Sequence, residues 1–340
     1  MTKRRKYLSE FAVNLYSARW QLITAEQLTS GGKMRPEELV IANSCHIYLI
    51  CQRPGLTYVP GTFSYNNGII SGDLAYKISG AKKTIPFQRP FDLLDGATRV
   101  ELSEYPQREI LAINEKGERV RYLPASMLSI TLGQHLSCKD ISMLEVLYVG
   151  QSFASGNRSA FERLQSHSTL QRILAEASYK NPDTEIFVAT FEYLPYRIIS
   201  SIDGRSTEAI SDDSDGKRFT SILEKPLKKI QQVSLTEAAL IRYFRPHYNM
   251  IYKEKFPSNT HKVLRSCYEL DFSALVVEIN TEDLCFYLYS DHVTPSMHHI
   301  SNIDLVSTND RAGFFYFTDK EGKNTSVINP IKAEKGSGNH

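Results

Sequence analysis

Short apolar runs of strand-forming residues, punctuated often by glycine and proline, fill the first third of the chain and predict short strands. Ile47-Tyr48-Leu49-Ile50-Cys51 is a compact run of strand-forming types. Thr62 to Tyr65 meets Asn66-Asn67-Gly68, a turn signal, and then Ile69-Ile70. Ile110 to Asn114 and Val120 to Leu123 flank Glu115-Lys116-Gly117-Glu118, which predicts a hairpin. One early helix is expected from Tyr7 to Leu28.

From about residue 139 the pattern changes. Met143 to Val149 is mostly apolar, as in a buried strand. Ala160 to Tyr179 repeats apolar residues at helical spacing, and Ser168-Thr169-Leu170-Gln171 within it fits a capping box that starts a second helix. Glu185 to Glu192 predicts a central strand. The acidic stretch from Ser200 to Asp215 reads as a solvated insertion; its likeness to a calcium loop fails because Ile222 stands where the closing glutamate belongs. A helix is expected from Ser234 to Phe244, stopped by Pro246. Ala274 to Ile279, Leu284 to Tyr289 and Gly313 to Phe317 return to strand character. The division this implies is a strand-rich N-terminal domain over 1–138, a central domain over 139–260, a strand-rich C-terminal region over 261–331 and a tail over 332–340.

A chain of 340 residues exceeds one ordinary core, in keeping with several parts. Five cysteines, an odd number without a CxxC pair, argue against a disulfide framework or zinc ribbon and fit a reducing cytoplasm. No apolar run approaches the roughly 20 residues of a membrane helix. Net charge is only +2, so any nucleic-acid binding must come from a local patch. Outside 203–215, the segment 141–260 carries 14 Lys and Arg against 9 Asp and Glu, and Lys225, Lys228, Lys229, Arg242 and Arg245 gather around the helix expected at Ser234. These five are the candidate phosphate contacts. His292, His298 and His299 lack a supporting carboxylate or cysteine at ligand spacing.

Chemistry concentrates in the central segment. Tyr148-Val149-Gly150-Gln151-Ser152 closes a strand, Arg163 and His167 lie four apart on one expected helical face, and Glu237-Ala238-Ala239-Leu240-Ile241 is followed by Pro246 and Tyr248-Asn249. A phosphodiester is cut by an activated water, a counter-charge for the transition state and help for the leaving oxygen. Glu237 suits a magnesium or manganese ion held largely through water. Arg163 suits the non-bridging oxygens, and Tyr148 or His167 the proton of the water. Asn249 would orient a water or brace the glutamate helix. Each residue also has a plain structural reading: a strand aromatic, an exposed helix charge, a helix-end imidazole, a turn asparagine, and for Glu237 a capping box begun at Ser234.

In order and spacing these pieces resemble the GIY-YIG nuclease family over roughly residues 141–252. The resemblance implies an α/β (α+β) fold, a small GIY-YIG-like central domain with a β-sheet flanked by helices, and Tyr148, Arg163, His167, Glu237 and Asn249 as site residues. It implies metal-dependent cleavage of DNA by a restriction, defence or mobile-element endonuclease, with the flanking regions selecting the substrate. One such site cuts one strand at a time, so double-strand cleavage requires a homodimer or two sequential events. The family's first tyrosine belongs about ten residues before Tyr148, where Leu136 to Asp140 holds none. Tyr122, further upstream, is the substitute if the hairpin is long. Loss of that tyrosine points to the alternative, an inactive module of the same fold that binds nucleic acid or protein.

Overall fold

The computed structural model describes residues 5–29, 36–132, 139–152, 164, 168–210, 212–258, 260–306 and 311–332. It is a strand-rich mixed α+β fold built on a nine-stranded sheet. The order across the sheet is Val293–Ser296, Tyr287–Ser290, Met143–Gln151, Ile47–Pro54, Thr184–Tyr193, Ser9–Thr24, Ala274–Asn280 and His298–Asp304, with Arg197–Ile202 also paired to Ser9–Thr24. Among the described residues, no helix is long and apolar enough to cross a membrane.

Ser9–Thr24 corrects the early helix expected from Tyr7 to Leu28. Phe11, Val13 and Leu15 join the main core, while Ala12 between them packs into a separate cluster with Ala274 and Val276. That is a period of two with both faces buried, and a helix cannot present it. Only Ala25–Thr29, at the end of this stretch, is helical.

The central strand Ile47–Pro54 pairs antiparallel with both Met143–Gln151 and Thr184–Tyr193. Its side chains divide by face. Ile47, Leu49 and Cys51 enter the main core with Leu235, Ala238 and Ala239 of the helix Lys229–Phe244. Tyr48 and Ile50 enter the core beneath the helix Ser168–Lys180, with Leu170 and Ile173. Each face of the sheet therefore carries a long helix, with shorter ones beside it: Ser214–Glu224 and Arg265–Glu269 on one face and Ala25–Thr29 on the other.

The sheet takes strands from all three segments of the chain, so the parts expected from chain order are not the parts of the fold. The separate body is instead an insertion between Pro54 and Met143. It holds a four-stranded sheet (Thr57–Tyr58, Ser64–Asn66, Ile69–Ile78, Ala81–Pro90) and a three-stranded one (Ala97–Leu102, Glu109–Asn114, Arg119–Pro124) around its own core of Tyr58, Ile70, Leu74, Phe87 and Ile110. Buried Arg53 pins its root. The guanidinium donates to the Ile141 and Ser126 carbonyls at 2.9 and 3.0 Å and to Glu185 at 2.7 Å, and it lies over the Phe187 ring.

The acidic stretch is partly structured. Arg197–Ile202 is a strand, Asp203 is buried against Thr318, and the helix Ser214–Glu224 starts within it. From Leu284 to Tyr289 the chain first makes a helical turn, Glu282–Leu284, and is extended only over Tyr287–Ser290.

Candidate active site

Four successive residues of the strand Met143–Gln151 collect the site. Tyr148 pairs in register with Ile50, and Gly150 with Tyr48. Tyr48 and Tyr148 are thus diagonal neighbours across two antiparallel strands. Their ring centroids are 6.2 Å apart and the planes are tilted by 33°. Gly150 makes this possible. A Cβ there would stand 2.5 Å from Tyr48 Cζ and Oη and 2.8 Å from Tyr148 Cε1. The glycine is required by close approach, not by its backbone angles.

Tyr48 lies 100 positions before Tyr148, where the family resemblance implies a spacing of about ten. The inserted body accounts for the difference. The sequence signal is the Ile47-Tyr48 pair inside a short strand, without any hint that its partner strand follows a whole folded insertion. Tyr122 does not substitute: it is 43% exposed on Arg119–Pro124, in the insertion's own sheet.

Val149 is clipped by Asn249. Its N–H donates to Asn249 Oδ1 and its carbonyl accepts from Asn249 Nδ2, both at 2.9 Å. The Tyr248 N–H donates to the Leu147 carbonyl at 3.1 Å. Beyond Glu145 the strand Tyr287–Ser290 no longer pairs with this edge, so the turn after Pro246 takes over its backbone groups. The amide of Asn249 is spent on the strand. It braces the segment that follows the glutamate helix.

Gln151 ties the strand to that helix. Its Nε2 donates to Glu237 Oε2 at 2.8 Å, and its Oε1 accepts from Ser234 Oγ at 3.4 Å. The helix begins at Lys229, with Gln231 Oε1 accepting the Lys228 N–H. Ser234 and Glu237 therefore sit in its interior, one turn apart, and the capping box expected at Ser234 does not form. The bond from Gln151 takes one of the about four acceptor sites of a carboxylate and orients the group without neutralising it. Glu237 is half-buried, and its charge, after burial, helps to push the Tyr252 phenol above its ordinary pKa.

Tyr148 shares its face with Tyr48 and the Ser168–Lys180 helix, whereas the Glu237 helix packs on the other face. The strand end and the glutamate helix are joined where Gln151 bonds Glu237. Arg163 and His167 lie outside the described residues. Tyr248 donates to Glu176 at 2.9 Å, and Arg172 and Lys180 also bond this carboxylate, which holds Glu176 down at about 2. His46, adjoining the Tyr48 strand, is held below the ordinary histidine value by burial and the charge of Lys229.

The five expected phosphate contacts do not form one patch. Lys225 and Lys228 are exposed at the start of the glutamate helix. Lys229 turns inward and donates to the Tyr193 carbonyl at 2.6 Å, and burial lowers its pKa. Arg242 and Arg245, roughly 20 Å away by helical rise, both face Glu254.

Among the described residues, no group of three or more His, Cys, Asp or Glu could hold a metal ion. His299 is buried between Tyr243 and the carbonyls of Leu288 and Ser296. The donor set fits a hard ion on one carboxylate and water, as magnesium prefers, and does not fit zinc. Searches of family models, curated proteins and solved structures found no match to this chain.

Proposed function

We propose that this chain is a metal-dependent endonuclease of the GIY-YIG type that hydrolyses DNA phosphodiester bonds. The observation that carries the reading is the tyrosine pair over Gly150 on adjacent antiparallel strands. A tyrosine beside Tyr-x-Gly is the element that chain order alone lacks. Order and antiparallel pairing also agree, with the Tyr48 strand between the Tyr148 strand and Thr184–Tyr193. The carboxylate helix follows and is joined to the strand end through Gln151.

In this reading Glu237, with water, would hold magnesium or manganese, and the ion would supply counter-charge for the phosphoryl oxygens. Tyr148 takes part in moving the proton of the attacking water, and Arg163 and His167 complete the set. Tyr48, wholly buried, fixes the position of Tyr148 by packing. Asn249 fixes the strand from its other edge.

The burial of Tyr48 also favours the second reading, an inactive nucleic-acid-binding module, since a phenol shielded from solvent transfers no proton to water. Cleavage of supercoiled plasmid in magnesium or manganese separates the two. The nuclease reading expects nicking or linearisation by the wild type, lost in Glu237→Ala and strongly reduced in Tyr148→Phe. Equal cutting by wild type and Glu237→Ala would refute the assignment. Salt-sensitive DNA binding without cutting, across substrates of varied sequence, would favour the module.

A further inference from the structure

A cleft of about 360 Å³ opens where the inserted body meets the main sheet, and nothing in the nuclease reading uses it. Its lining includes Gly55 and Asp183, which are hydrogen-bonded backbone to backbone at 2.8 Å. Lys77, Lys82, Tyr105 and Arg108 line it as well. The volume lies in the range of small ligand clefts, about 300–1,000 Å³.

The charge in the cleft is unbalanced. Lys77 is paired with Asp183 at 2.8 Å. Lys82 and Arg108 are exposed and have no ion-pair partner among the described residues. Tyr105 is 88% exposed at the turn between Ala97–Leu102 and Glu109–Asn114. A large aromatic ring left in water beside two cations that have no ion pair at contact distance among the described residues, Arg108 lying also in the field of the Glu185 carboxylate, matches a ligand with a flat apolar face and an anion attached to it. A nucleotide has both. In a duplex the base faces are covered by their neighbours, so an internal base can use this ring only when the strand is unpaired.

We infer that the cleft binds an unpaired nucleotide of a nucleic-acid strand, its base stacked on Tyr105 and its phosphate held by Lys82 and Arg108. The inference rests on the nuclease reading for its biological sense, because it adds a second grip on the same substrate. Tyr48 and Gly55 are seven residues apart along an extended strand, or roughly 23 Å at about 3.3 Å per residue. The cleft therefore holds the strand away from the bond to be cut. An insertion between the two tyrosine strands thereby gains a task in choosing substrate.

The test is fluorescence anisotropy with a labelled oligothymidylate and the full chain, in chelator so that no cleavage intervenes. Tyr105→Ala should weaken binding about tenfold, or about 1.4 kcal/mol, while Tyr105→Phe, which keeps the ring, binds as the wild type. Lys82→Glu with Arg108→Glu should flatten the salt dependence by roughly 0.7 in slope, for the one phosphate no longer neutralised. A blunt duplex should compete poorly. Unchanged binding by Tyr105→Ala, or equal competition by the duplex, would overturn the inference. Because the readout is binding without metal, it stands or falls separately from plasmid cleavage: inactivity with Tyr105-dependent binding keeps the cleft and rejects the nuclease, and the reverse pattern does the opposite.

Discussion

Gly150→Ala is the most direct probe of the tyrosine pair. The new methyl would sit 2.5 Å from two atoms of Tyr48 and 2.8 Å from Tyr148. Carbon atoms pack best at about 3.5–4.0 Å, so about 1 Å must be found on both sides. Tyr48 cannot supply it. Its ring is fully buried, and its strand is paired with Gly150 on one side and Thr190 on the other. Tyr148, partly exposed near the strand end, is the ring that gives way. Overpacking of this kind costs about 1–3 kcal/mol, so with a urea slope of about 1–3 kcal/mol/M the unfolding midpoint falls by roughly 1 M. Plasmid cleavage, measured where the variant is still folded, should fall at least tenfold, about 1.4 kcal/mol of barrier. Tyr48→Leu removes both clashing Tyr48 atoms. The double variant should therefore be more stable than the sum of the single changes, by about 0.5–3 kcal/mol, without recovering cleavage. A Gly150→Ala protein with the wild-type midpoint and wild-type cutting would show that the two rings do not meet over this glycine.

Other changes test the supports of the site. Asn249→Ala leaves the buried N–H and carbonyl of Val149 without their partner, at about 1–3 kcal/mol for each group. Urea unfolding should show the loss, and the Val149 amide should exchange faster with solvent. Arg53→Ala breaks a buried ion pair and frees two carbonyls, for about 3–5 kcal/mol. Limited proteolysis should then cut the 55–142 body first. The Glu176 carboxyl, held at about 2 by Arg172, Tyr248 and Lys180, has a depressed folded-state pKa. Its contribution is present above the ordinary carboxylate range and is lost as pH falls through about 2. Carboxyl titration by NMR should find that low midpoint, and Tyr248→Phe should raise it.

Much of the fold follows from short-range pattern. The Asn66-Asn67-Gly68 turn, the Glu109–Asn114 and Arg119–Pro124 hairpin, the Thr184–Tyr193 strand and the stop at Pro246 all form where local spacing places them. Ser9–Thr24 departs from its local pattern because both faces of its first half, Ser9 to Leu15, are buried, which erases there the alternation that marks a half-exposed strand. The glutamate helix starts earlier than its spacing predicts because Ser234 to Glu237 satisfies the capping pattern equally well inside a helix.

By itself the sequence determined which residue types were present and which lay close along the chain: Tyr148 beside Gly150, Glu237 within a helix, Tyr248-Asn249 after its end. Only the tertiary structure decided that Tyr48 is the neighbour of Tyr148 and that Asn249 serves the strand. It also decided that Gln151 bridges to Glu237 and that the five basic residues are dispersed. Hydrogen bonding between strands takes no account of how much chain lies between them, provided the intervening segment folds and closes its own ends. Here it does so around its own core, with Arg53 pinning its root. Residues that meet across 100 positions leave no periodicity to read, because their signal is in space and not in spacing.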